Sequence, residues 1–150
     1  MFWILRFILF WAVWFVFADK KRWREILPVC ILASFFGATT DNLVHHYYPW
    51  IYDTMQTNIV ADITDDWSVY PIVTYLFIQW LPRERSFRKM FSYWFIWTGV
   101  AIGIEEVHLI TGHMSYPTWW NLGWSYLADW ILFWLFYQYH KILRFERVSS

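Results

Sequence analysis

Five apolar runs follow one another along the chain, and each is about as long as a helix that crosses a lipid bilayer. Such a helix needs about 20 mainly apolar residues to cross about 30 Å of hydrocarbon. The third run is the shortest and contains Pro71, but Trp67 and Trp80 lie where interfacial anchors are typical. The sequence therefore predicts an all-α membrane bundle in which residues 1–150 form a single transmembrane domain. The predicted spans lie near residues 2–18, 26–44, 67–82, 90–111 and 119–140.

The aromatic content supports a membrane environment. Of the 150 residues, 25% are aromatic and 14 are tryptophan, which is more than a soluble domain needs. Indole and phenol rings favour the bilayer interface, because one end of each ring is apolar and the other is wetted. The formal net charge is zero, so charge predicts no nucleic-acid partner. The expected partner is the lipid bilayer, and a homo-oligomer or a second membrane protein is left open.

The basic residues predict the orientation of the spans. Residues 42–82 and 90–140 contain no Lys or Arg, and all of the 12 basic residues except Arg6 lie in three clusters. With five spans, the three clusters lie on one side, which the positive-inside rule identifies as cytoplasmic. We therefore predict a multi-pass plasma-membrane protein with its N-terminus outside and its C-terminus cytoplasmic. The clusters are Lys20, Lys21, Arg22 and Arg24; Arg83, Arg85, Arg88 and Lys89; and Lys141, Arg144 and Arg147.

Acidic residues inside the predicted spans are the main candidates for a functional site, because a carboxylate in hydrocarbon is costly. At about 1.5 Å per residue, Asp41 and Glu105 lie roughly 24–26 Å from the cytoplasmic ends of their spans, and Asp129 lies about 18 Å from its own. Three helices therefore carry carboxylates within about two helical turns of one another in depth.

Helical spacing predicts the direction in which these acids point. A stripe of small residues on the second span ends in Asp41, and on the fourth span the G-x-x-x-G pair Gly99 and Gly103 is continued by Glu106. Small residues let helix backbones approach closely. Each acid on such a stripe is therefore predicted to face a neighbouring helix.

Glu105 is predicted to lie in a different environment. It is about 100° around the helix from Glu106 and is predicted to pair with His108, three residues further on. Together these residues define the predicted polar cluster: Asp41, Glu106 and Asp129, flanked by Glu105, His108, His45 and His113.

Four interpretations of the predicted polar cluster are open. The simplest is an interhelical hydrogen-bond network in a non-enzymatic protein. A second is a divalent metal site, since Glu105-x-x-His108 has the spacing of di-iron bundles, although those sites use two such pairs. A third is a proton- or ion-handling transporter or channel component. A fourth, an intramembrane enzyme, lacks a tight nucleophile signature. The candidate metal ligands are Asp41, His45, Glu105 and His108.

Two further polar stretches have structural interpretations. The stretch "ADITDDW" is predicted to be a solvated outer loop whose last aspartates, Asp65 and Asp66, cap the third span. The run "HHYYPWIYD", residues 45–53, is predicted to form an interfacial belt of amphipathic rings.

A longer pattern covers the last two-thirds of the chain. It runs from "VYPIVTYLFIQWLPRERSFRKMFSYWFIWTGVAIGIEEVHLITG" through "YPTWWNLGWSYLADWILFWLFYQYHK". This pattern resembles small, aromatic-rich integral membrane proteins of spore-forming Bacilli and their relatives. The resemblance implies a multi-span plasma-membrane bundle and an envelope- or spore-associated role, and it assigns no catalytic residue. We expect a small non-enzymatic membrane protein, with an ion-, proton- or metal-handling membrane protein as the alternative.

Overall fold

The computed structural model describes residues 1–47, 50–52 and 59–143, and of residues 44–46 it describes only the backbone. Each of the five apolar runs is helical, which confirms the all-α prediction. A 3-10 turn, Lys20–Arg22, follows the first helix, and a five-residue π-helical segment, Asp65–Val69, joins α3 to α4 without a break. The elements are α1 (Phe2–Phe17), α2 (Trp23–Tyr47), β1 (Ile51–Tyr52), α3 (Ile59–Thr64), α4 (Tyr70–Gln79), α5 (Phe87–Ile110), β2 (Met114–Ser115) and α6 (Leu122–Ile142).

Local sequence explains how α5 ends and α6 begins. Gly112 follows α5 with a φ of 73°, a left-handed conformation that glycine adopts without a Cβ clash. The His113 N–H donates to His108 O at 2.9 Å and the Gly112 N–H to Leu109 O at 3.1 Å, which is the Schellman pattern of a helix C-terminus. Asn121 caps α6, because its Oδ1 accepts a hydrogen bond from Gly123 N at 2.9 Å.

The predicted start of the third span is wrong. The third span corresponds to α3, the π segment and α4, which together we call the third helix. The third helix begins at Ile59 instead of residue 67, and Asp65 and Asp66 are buried inside it instead of capping it from a solvated loop. The physical reason is tertiary, because Asp65 has a cationic partner in Arg6 of α1. A paired carboxylate can be buried where an unpaired one would have to face water.

The contacts divide the chain into two compact units. The first unit comprises residues 1–39, 59–81 and 135–150. In it, α1 packs against α3, the π segment and α4. The rings of Trp14 and Tyr75 meet edge to face at 5.7 Å between centroids. Its buried apolar core includes Ile26, Val29, Ala33, Phe77, Ile78 and Phe136.

The second unit comprises residues 40–58 and 82–134. Within it, α5 and α6 contact each other through large aromatic rings, as in the pair of Trp94 and Trp130 at 5.7 Å and the pair of Trp97 and Phe133 at 6.3 Å. The antiparallel strands β1 and β2 pair Ile51 with Ser115 and Tyr52 with Met114. Part of the predicted aromatic belt is therefore a strand, and its residues 48, 49 and 53 lie outside the described residues.

One helical stretch among the described residues is long and apolar enough to cross a bilayer. It is Lys20–Leu43, 24 residues that join the 3-10 turn to most of α2. The helix α1 is also apolar but has only 16 residues.

The two small-residue stripes have different outcomes. On α2, a Cβ added to Gly37 would overlap Asp66 Oδ1 and come within 2.8 Å of the Tyr70 ring, so α2 approaches the third helix closely, as predicted. On α5, a Cβ added to Gly99 or Gly103 would meet no atom of the described residues within 4 Å. The prediction that the α5 stripe packs against a neighbouring helix is therefore wrong for the helices that the structure describes.

We predict that Gly37→Ala destabilises the protein by about 1–3 kcal/mol, because the added methyl group has no room. The matched control is Gly103→Ala, which should be neutral or stabilising by up to about 1 kcal/mol, since alanine is the better helix former and the space is open. Thermal unfolding of the detergent-purified variants, followed by circular dichroism, measures both. A Gly37→Ala variant as stable as Gly103→Ala would contradict the close approach.

Candidate functional site

Glu105 joins three parts of the second unit through hydrogen bonds. Its Oε1 accepts one from the Tyr116 hydroxyl, in the loop after α5, and one from Ser125 Oγ of α6 at 2.7 Å. Trp120 Nε1 donates to the same Ser125 oxygen at 2.8 Å. We call these four residues the Glu105 network. Asp129, one turn beyond Ser125, lies close enough to Glu105 for the two carboxyl groups to interact electrostatically.

Tyr116 lies outside the predicted spans and is one of the two hydroxyl donors to Glu105. Burial raises the pKa of Tyr116 above its ordinary value of 10.0, and the hydrogen bond to Glu105 raises it further. The hydroxyl therefore stays protonated at neutral pH and remains a donor.

The structure brings together only part of the predicted polar cluster. Glu105 and Asp129 interact, whereas Glu106 is exposed. The faces assigned to the two glutamates are therefore wrong, because α5 packs through its aromatic side and Glu105 lies on that side. The remaining predicted residues are distributed as follows: Asp41 is buried in α2, His108 is buried in α5, His113 is half-buried beyond it, and the side chain of His45 lies outside the described residues.

The metal interpretation concerned Asp41, His45, Glu105 and His108. Among the residues whose side chains are described, no group of three or more His, Cys, Asp or Glu side chains is placed to hold a metal ion. The partners of Glu105 are the hydroxyl groups of Tyr116 and Ser125, which donate hydrogen bonds to a carboxylate.

A second network lies in the first unit and is centred on Arg6. Its Nη2 atom is 2.7 Å from Asp65 Oδ1, 2.9 Å from Thr64 Oγ1 and 3.4 Å from Ala61 O. The side chains of Arg6 and Asp65 are only 6% and 8% exposed. The guanidinium also lies over the Trp3 ring, 4.5 Å from its centroid, a favourable cation–π position. We call Arg6, Ala61, Thr64 and Asp65 the Arg6 network.

The π segment places a second acid beside this pair. Ser68 Oγ of the segment donates to the main-chain oxygen of Thr64, the last residue of α3. Ser34 Oγ of α2 donates to Asp66 O at 2.6 Å. The Asp66 side chain lies against Gly37, and the residue is only 8% exposed. Its Oδ1 atom is buried and has no hydrogen-bond partner among the described residues. Single-turn π segments occur frequently at functional sites.

A third network connects the ends of three helices in the first unit. Glu25, at the start of α2, accepts hydrogen bonds from Arg22 Nε at 2.8 Å and Nη2 at 2.6 Å, and its Oε1 lies 2.8 Å from His140 Nε2 of α6. Arg22 Nη1 also donates to Gln79 O at the end of α4, at 2.8 Å. Glu25 and His140 are 2% and 0% exposed. We call these four residues the Glu25 network. The hydrogen bond with Glu25 raises the pKa of Arg22 above its ordinary value.

Arg6 and Glu25, the central residues of the last two networks, lie outside the predicted polar cluster. One signal was present for the Arg6 network: Arg6 is the only basic residue outside the three clusters, and the "ADITDDW" acids are predicted on the same side of the bilayer. Opposite charges on one side of adjacent helices are natural partners. For Glu25 and His140, 115 residues apart, the sequence has no comparable signal.

No protein-family model, curated protein or solved structure matches this chain. The chemistry common to the three networks is the pairing of a buried or half-buried charged group with donors or acceptors on other elements. Such pairing holds helices in a fixed register.

We predict that Glu105→Ala destabilises the protein by about 1–3 kcal/mol, because the Tyr116 and Ser125 hydroxyl groups lose their acceptor. The adjacent Glu106→Ala is the matched control and should change stability by less than about 0.5 kcal/mol, because Glu106 is exposed. Unfolding in detergent measures both. Equal losses for the two variants would refute the assignment of faces.

We also predict that Arg6→Met destabilises the protein by about 3–5 kcal/mol, because it leaves Asp65 buried without its cation. The exposed pair of Lys89 and Glu84 supplies the control, and Lys89→Met should cost no more than about 1 kcal/mol. The double variant Arg6→Met, Asp65→Leu should recover much of the loss, because no charge is then left unpaired. A double variant less stable than Arg6→Met would contradict this account.

Proposed function

We propose that the protein is a five-span integral protein of the plasma membrane, with its N-terminus outside and its C-terminus cytoplasmic, and that its role is non-enzymatic. The observation that carries this proposal is an inverted distribution of side chains. Arg6, Glu25, Asp65 and His140 are buried, whereas soluble proteins keep such groups at the surface. Large apolar side chains are exposed on helices of both units, among them Ile8, Leu9, Phe15, Ile31, Phe35, Ile63, Phe95, Ile96, Ile131 and Trp134.

This distribution of side chains suits a protein that is surrounded by the hydrocarbon of a lipid bilayer. Exposed apolar side chains are favourable in lipid, and buried polar groups that bond across helices hold a membrane bundle together. Several of the helices are rich in tryptophan and tyrosine. Both residue types are typical of membrane interfaces. The aromatic content therefore supports spanning helices even where aliphatic residues are few.

The contacts within the first unit support the proposed orientation of the first and third spans. Both are predicted to run from outside to inside. Arg6 pairs with Asp65 near the N-terminal ends, and at the other end Gln79 Nε2 donates to Phe17 O at 2.9 Å. The helices α1 and α4 therefore run in the same direction, as two spans separated by one intervening crossing must.

The Glu25 network supports the proposed cytoplasmic side. Glu25 begins α2, Gln79 ends α4 and His140 lies near the end of α6. The proposed topology places all three positions at the inner face of the bilayer, next to the basic clusters that predict that face.

The non-enzymatic role is supported by the use that the chain makes of its buried polar groups. Buried Glu25 contacts His140 of α6, and half-buried Glu105 accepts a hydrogen bond from Ser125 of α6. Arg6 binds three oxygen atoms of the third helix. Polar side chains engaged in this way connect helices.

The second candidate function is proton handling, and one observation favours it. Asp66 is a buried acid beside an ion pair, and its Oδ1 atom has no hydrogen-bond partner among the described residues. An ionisable residue within a membrane span is a candidate for a proton relay. In this proposal the relevant site is Asp66 instead of the cluster around Asp41.

We predict that cysteines at two positions of the second unit label from opposite sides of the membrane. In a Cys30→Ser background, Ser115→Cys should react with a membrane-impermeant maleimide on intact cells, and Ser86→Cys should react only after permeabilisation. Both serines are exposed at the protein surface, so a difference in their labelling cannot arise from burial within the protein. Labelling of both positions on intact cells, or of Ser86→Cys alone, would overturn the proposed topology.

A further inference from the structure

We infer that Asp66 is a proton-binding residue, and that the neighbouring carboxyl groups of Asp65 and Asp66 together carry one proton beside Arg6. The inference rests on the proposed membrane location and deepens the second candidate function, because it names the residue that binds the proton and the ion pair to which it is coupled.

The first step is the balance of charge around the π segment. Arg6 supplies one positive charge, and its Nη2 atom contacts Asp65 Oδ1 and Thr64 Oγ1. Asp65 and Asp66 would supply two negative charges if both were ionised. An ionised carboxyl group without a donor is strongly disfavoured in a medium of low dielectric constant, and taking up a proton removes that cost. One proton on Asp66 leaves Arg6, Asp65 and Asp66 together neutral, and it also removes the repulsion between Asp66 and Asp62, one turn earlier on the same helix.

The second step concerns the partners of the Asp66 carboxyl group among the described residues. Its Oδ1 atom has no hydrogen-bond partner there, and Ser34 of α2 donates to the Asp66 main-chain oxygen instead of the carboxyl group. Gly37 contributes no side chain at the point of closest approach. The charged groups that act on the Asp66 carboxyl group are Asp65 and Asp62 on its own helix. Arg6 of α1 contacts the adjacent Asp65, and the Tyr70 ring lies with the Asp66 side chain at Gly37.

The third step concerns what release of the proton does. The proton passes from the Asp66 carboxyl oxygen to a water molecule, and the bonding electron pair stays on the carboxylate. The new negative charge then attracts Arg6, which is bound to the carboxylate of the adjacent residue, Asp65. Because Arg6 belongs to α1 and both acids belong to the third helix, the proton on Asp66 controls how strongly these two helices are held together.

Infrared spectroscopy of the full chain in detergent tests the inference. At pH 7 the wild-type protein should show the band of a protonated carboxyl group, and raising the pH should remove it. The band should be absent from Asp66→Asn and retained in the control Glu106→Gln, which removes an exposed carboxyl group on another helix. Asp66→Asn should also unfold close to the wild-type temperature, because an amide has the shape of the neutral acid, whereas Asp65→Asn should unfold at a lower temperature because Arg6 loses its anion.

A wild-type protein without the band between about pH 5 and 7, or a band that persists in Asp66→Asn, would overturn the inference. If Asp66→Asn does not accumulate, Asp66→Glu retains a carboxyl group and should shift the band, and an unshifted band would equally overturn it. The cysteine labelling is independent of these spectra. Correct labelling without the band refutes the proton site alone, whereas the band with incorrect labelling refutes the proposed topology alone.

Discussion

The ion pair between Arg6 and Asp65 is the contact on which the packing of the first unit depends. A guanidinium near the start of an apolar helix has to find an anion and several acceptors if the helix is to be buried at that point. Asp65, Thr64 and Ala61 supply these oxygens from one short stretch of the third helix. That requirement selects one register and one relative direction for α1. The contact between Gln79 and Phe17 at the far ends of the same helices is consistent with this register.

The same physical requirement explains the other two networks. Glu25 is satisfied by a guanidinium and an imidazole, and Glu105 is satisfied by two hydroxyl groups. The partners lie at very different distances along the chain, because Arg22 is three residues from Glu25, Ser125 is 20 residues from Glu105 and His140 is 115 residues from Glu25. Apolar contacts alone are nearly equivalent in many registers, whereas a buried charge has few acceptable partners. The polar groups therefore specify the arrangement of the helices.

Comparison of α2 with α5 explains why the prediction of packing faces was correct once and wrong once. On α2 the small-residue stripe contacts another helix, because Gly37 admits the side chains of Asp66 and Tyr70. On α5 the stripe at Gly99 and Gly103 is open, and the helix packs through Trp94 and Trp97. Both kinds of face recur with the helical period. The period alone does not decide whether a helix contacts its neighbour through small residues or through interdigitating rings.

The sequence by itself determined that the five apolar runs are helices, roughly where most of them begin and end, and which acids and bases lie within them. These properties follow from local rules of composition, periodicity and helix capping. Only the tertiary structure decided that Glu105 is hydrogen-bonded whereas Glu106 is exposed, and that Asp65 and Asp66 lie inside a helix. It also decided that Arg6 pairs with Asp65 and that Glu25 pairs with His140. The physical reason is distance along the chain. Arg6 and Thr64 are 58 residues apart, and Glu25 and His140 are 115 apart, so helical spacing predicts each face but cannot choose its partner.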